Sequence, residues 1–151
     1  MAEIDLTDQS LFKKAVEIKL TNAMESTLNN LRVNNIIILE FNEELGPQLK
    51  FYTKKDDLVN KMLQNPAYVA EMTIIAKHCK EATFRNGSKT AFGEFLVKTN
   101  RNFVLVEISK ESFSWKPKKL AEHIAKILGK EKIINEKTII NAISAALSLL
   151  R

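Results

Sequence analysis

The residues that first ask for chemistry are His78 and Cys79, because an imidazole beside a thiol is the raw material of a nucleophile and its base. Adjacent residues on a helix project about 100° apart, so this pair does not face itself and reads as incidental. His123, between Glu122 and Ile124, has no companion at helical spacing and reads as a surface histidine. Glu43 and Glu44 could coordinate a cation or share acid–base work, but a turn at Asn42–Pro47 leaves both in water. No glycine-rich phosphate loop, nucleophile elbow or metal motif occurs. The single cysteine excludes an internal disulfide, and two histidines with one cysteine cannot supply a structural zinc site. The expectation is therefore no catalytic residue, no metal, no cofactor and no enzyme activity.

The densest charge is a basic run, Lys116, Lys118, Lys119, Lys126, Lys130 and Lys132, opened by Phe113 and Trp115. Such a run could meet phosphate or anionic lipid. Glu122 and Glu131 interrupt it and its apolar period is good, which favours an ordinary helix exterior; nucleic acid is not the expected partner, and a membrane is met only indirectly or through Lys116–Lys132. The net charge of +5 is unevenly spread: residues 1–76 carry 8 basic and 11 acidic side chains, residues 77–132 carry 13 and 6. That asymmetry suits association in which an acidic patch meets a basic one.

These residues need a scaffold, and 151 residues with 45% hydrophobic and 27% charged side chains make one folded domain spanning 1–151. The longest apolar run, Ile36 to Leu39, is far short of the roughly 20 residues of a membrane span, and MAEIDLTDQ lacks the order of a signal peptide, so a cytoplasmic protein is expected. Phe12, Val16, Leu20, Met24, Leu28 and Leu31 predict one long amphipathic helix over 7–32, capped by Thr7 or Asp8. Ile36–Phe41 reads as a central strand, Leu49–Thr53 as its hairpin partner. Asp56-Asp57 caps a short helix from Leu58 to Gln64, and Asn65-Pro66 restarts it to about Ala82.

Asn86-Gly87 is the strongest hairpin signal in the chain, followed by strands at Lys89–Thr99 and Phe103–Ile108 about the turn Asn100–Asn102. Helices follow Pro117, with Gly129 just past its C-terminus, and Asn135, running from Glu136 to Leu150. The order α-β-β-α-β-β-β-α-α predicts an α+β domain with a five-stranded antiparallel sheet flanked by helices. The middle helix is the informative element, since Tyr68, Met72 and Ile75, with Cys79 and the Phe84 strand beside it, offer a self-association surface if the sheet does not cover them.

In this order the residues resemble the roadblock and longin superfamily of small-GTPase-associated domains. Ile38-Leu39-Glu40-Phe41-Asn42-Glu43-Glu44-Leu45-Gly46-Pro47-Gln48-Leu49 looks like the apolar strand, acidic turn, Gly-Pro and second strand that open several longin-type domains. Phe84-Arg85-Asn86-Gly87-Ser88, leading into Phe95-Leu96-Val97 and Asn102-Phe103-Val104-Leu105-Val106, is similar to the last three strands of a roadblock domain. The long leading helix suits a roadblock domain and the extra helix at 136–150 suits a longin domain. The resemblance implies a non-enzymatic dimerising scaffold that pairs with itself or a related roadblock/longin chain through the middle helix and edge strand, at Tyr68, Met72, Ile75, Cys79 and Phe84, and binds a Ras-like small GTPase. The alternative is a monomeric longin- or profilin-like domain engaging a peptide, trafficking or cytoskeletal partner.

Overall fold

The β-branched run Ile36–Ile38 cannot hide on one side of a strand, and the structure buries it on both. In the computed structural model, which describes residues 15–78, 81–85, 88–97, 100–109, 116–130 and 135–149, strand β2 (Val33–Asn42) lies inside a sheet with Ile36, Ile37, Ile38 and Leu39 at most 2% exposed. Its neighbours are β3 (Gly46–Tyr52) and β6 (Asn100–Ser109), followed outward by β5 (Ser88–Val97) and β4 (Glu81–Arg85). A two-residue strand β1 (Val16–Glu17) sits beyond β3, giving the order β1-β3-β2-β6-β5-β4.

Two apolar layers result. On one face Ile36, Ile38, Val104, Val106 and Phe95 pack under helices α1 (Asn22–Asn30), α4 (Pro117–Lys130) and α5 (Glu136–Ser148). On the other, Ile37, Leu39, Phe92, Phe103 and Leu105 pack under α2 (Asp57–Gln64) and α3 (Pro66–His78). The molecule is a single α+β domain. Among the described residues no helix is long and apolar enough to cross a membrane.

The structure corrects the sequence reading in several places. The sheet is mixed, not wholly antiparallel, because β1 runs parallel to β3, with Val16 opposite Phe51 and Glu17 opposite Tyr52. The same pairing breaks the expected helix over 7–32. Val16 and Glu17 pair as strand instead, and Ile18 N–H continues the contact by donating to the Tyr52 carbonyl at 2.8 Å; Ile18 is 3% exposed while Val16 stays 54% exposed, so the pairing with β3, and no alternation of faces, decides this segment. The helix starts only where Thr21 caps it, its Oγ1 accepting from Met24 N–H at 3.2 Å. Residues 7–14 of that expected helix lie outside the described residues.

The middle helix ends at His78 instead of Ala82, since Glu81–Arg85 is already strand. Arg101 and Asn102, expected in a turn, belong to β6. Gly129 does not end α4, which runs through to Lys130; a Cβ there would lie 2.8 Å from Glu136, so the glycine admits the first turn of α5. Asn86 and Gly87 lie outside the described residues, but Arg85 and Ser88 on either side of them are paired, as a two-residue hairpin connection requires.

Candidate interaction surface

Helix α3 is placed by its start. Asp56 caps α2 by accepting from Val59 N–H at 3.1 Å, and its other oxygen accepts from Asn35 Nδ2 at 3.2 Å, which ties the cap to β2. Asn65 then turns the chain into α3, its Oδ1 accepting from Ala67 N–H at 3.0 Å. Val69, Met72, Thr73 and Ala76 form the buried stripe, at the i, i+3, i+4, i+7 positions of one helix face.

Of the residues singled out from sequence, Met72 is 3% exposed and lies in the core under α3, so it contributes packing and no surface. Tyr68 and Ile75 are half-buried and pack against the same core. Cys79 lies outside the described residues. Phe84 belongs to β4 at the end of the sheet order. Of the set, Tyr68 and Ile75 thus keep part of their surface in solvent and Met72 does not. The apolar side chain that α3 does show to solvent is Ile74, 59% exposed. It borders a cleft of about 440 Å³ with Phe41, Glu43, Lys77, Asn100, Arg101 and Phe103. Phe41 is itself 38% exposed, opposite Arg101 in the sheet register. The missed signal was local: in Thr73-Ile74-Ile75-Ala76 two adjacent isoleucines cannot both enter a stripe that already holds Thr73 and Ala76.

Of the other candidates, Glu43 borders the same cleft. Glu43 and Glu44 occupy the turn before β3, where Asn42 Oδ1 accepts from the N–H groups of Glu44 at 2.8 Å and Leu45 at 3.1 Å. His78 is exposed at the end of α3 and His123 half-buried on α4. Lys116, Lys118, Lys119 and Lys126 are exposed on or beside α4, and Lys132 lies outside the described residues. Among the described residues no three His, Cys, Asp or Glu side chains could together hold a metal ion.

Two polar features beneath the surface were not legible in advance. Asn35 is 0% exposed, and its side chain donates to Lys54 O at 2.7 Å and accepts from Thr53 Oγ1 at 2.8 Å and Lys54 N–H at 3.0 Å. In register with it across β6 and β5 stand Glu107 and Thr90, both 0% exposed. This polar row crosses the sheet at the end away from the Phe41 cleft.

Comparison with protein-family models, with curated proteins and with solved structures gives no match.

Proposed function

We propose that the chain is a non-enzymatic, cytoplasmic dimerising module that pairs with itself or a related roadblock/longin chain and binds a Ras-like small GTPase. One observation carries the reading. Middle helix α3 stands with α2 on its own side of the sheet, opposite α1, α4 and α5, and turns Ile74 outward beside a cleft edged by Phe41. An isoleucine this exposed, next to a partly exposed phenylalanine, is the kind of apolar patch a partner covers. Counted from Asn22 to Lys130 with α2 and α3 taken as one interrupted helix, the elements run α-β-β-α-β-β-β-α, with the short parallel strand β1 ahead of them. Lys77, Arg101 and Glu43 line the same cleft, with Arg101 held 3.5 Å from Glu94, so its margin offers charges of both signs to a partner.

The GTPase arm is tested by pull-down with Ras-like GTPases loaded with GDP or a non-hydrolysable GTP analogue. Retention that depends on the loaded nucleotide and is lost in Ile74→Glu supports the reading. Failure of every GTPase to be retained removes that arm.

A further inference from the structure

Helix α3 buries Val69, Met72, Thr73 and Ala76, and the side turned away from that stripe carries Glu71, Ile74 and Lys77, all exposed. Ile74 stands between a carboxylate three residues before it and an ammonium three residues after it. At about 1.5 Å of rise per residue each charge lies roughly 4.5 Å along the axis from the isoleucine. The outer stripe is therefore acidic on one side of Ile74 and basic, at equal distance, on the other. Among the described residues neither Glu71 nor Lys77 forms an ion pair within the chain, so both charges are left to solvent. Ala70, half-buried one turn before Ile74, leaves room for a neighbouring helix.

An interface between two identical subunits about a twofold axis uses one patch twice, so the patch has to complement itself. Two copies of α3 running antiparallel, with the axis beside Ile74, bring the residue three before Ile74 level with the residue three after it on the other helix. Glu71 then meets the partner's Lys77, Lys77 meets the partner's Glu71, and the two isoleucines lie between these pairs. A parallel arrangement would set Glu71 against the partner's Glu71 and Lys77 against the partner's Lys77, which repel. Phe41, across the cleft from α3, adds apolar surface beside the isoleucines.

We infer that the partner at α3 is a second copy of this chain, docked antiparallel with Ile74 beside the twofold axis and two pairs of Glu71 with Lys77 fixing direction and register. The inference rests on the self-association proposed above and names its partner, the identical chain and not merely a related one. A different chain would fit as well only by carrying acid, apolar residue and base at this same spacing. Apolar contact between the isoleucines supplies affinity, while the exposed ion pairs, weak one by one, select partner and orientation.

The test is the dimer dissociation constant of the full chain, measured by sedimentation equilibrium for Glu71→Lys, for Lys77→Glu and for an equimolar mixture of the two. Each variant alone places like charges at both contacts and should weaken the dimer about tenfold. In the mixture, one chain of each kind regains an attractive pair at both contacts. The constant should then return to within about threefold of the wild type's, with the mixed dimer as the species seen by native mass spectrometry. Recovery on mixing also shows that both variants fold, since two misfolded chains could not rescue each other. Single variants as tight as the wild type, or a mixture as weak as its components, would overturn the inference, and a dimer still broken by Ile74→Glu would leave the self-association reading standing without it. A wild type that stays monomeric at every concentration would remove the reading and the inference together.

Discussion

Asn35 shows how one buried polar side chain fixes the geometry around it. It joins β2 to the start of α2 through Lys54, Thr53 and Asp56, so Asn35→Ala would strand several buried donors and acceptors at once. The expected loss is about 3 kcal/mol, seen as a thermal midpoint lowered by roughly 6–12 °C for a chain of this size. Tyr52 carries a second residue-scale consequence. Burial, and then the charge of Glu17 opposite it, push its phenol above the ordinary tyrosine value. A raised value means that the folded state holds its proton more tightly than the unfolded chain. The contribution is therefore fully present below about pH 10 and lost as pH climbs from there through the folded-state value. Between pH 8 and pH 11, roughly spanning that window, the wild type should lose more stability in denaturant titrations than Tyr52→Phe does. An equal loss in both proteins would contradict this. Neither residue announced itself in the sequence: an asparagine next to Asn34 reads as a strand break, and nothing in a linear pattern shows that Thr53 and Lys54 return to meet it.

At the scale of elements, what was legible followed from strong local signals. The apolar run of β2, the Asp56 and Asn65 caps and the Asn135 cap each act within four residues; the three helices start where their caps place them, while β2 begins at Val33, three residues ahead of its apolar run. What failed was the helix expected over residues 16–20, because pairing with β3 at Phe51 and Tyr52 is a contact with a segment more than thirty residues away. Thr21 marks the resulting boundary, and Thr21→Ala should cost about 1 kcal/mol through loss of the cap to Met24. Helix α3 divides along the same line between buried and exposed positions. Met72→Ala should destabilise the fold by about 2–5 kcal/mol, whereas Ile74→Glu, at a position 59% exposed, should leave the thermal midpoint nearly unchanged. Comparable destabilisation by the two would mean that Ile74 is needed inside this chain and not by a partner.

For the whole molecule, a mixed six-stranded sheet between a three-helix layer and a two-helix layer leaves several large apolar side chains in solvent among the described residues, Ile74 and Phe41 at one place and Leu96, Val97 and Leu149 at another. The layering was largely inferable, since the order of elements and their amphipathic faces permit few other arrangements. Which side chains would remain uncovered was not, because that depends on where α3 crosses the sheet and how far β4 extends. The measurement that bears most directly on the proposed function is light scattering coupled to size-exclusion chromatography of the full chain at tens of micromolar. A mass twice that of the 17.2 kDa chain, falling to the monomer value in Ile74→Glu, is the predicted result. A monomer at every concentration would contradict self-association, and a dimer untouched by Ile74→Glu would remove α3 from the interface.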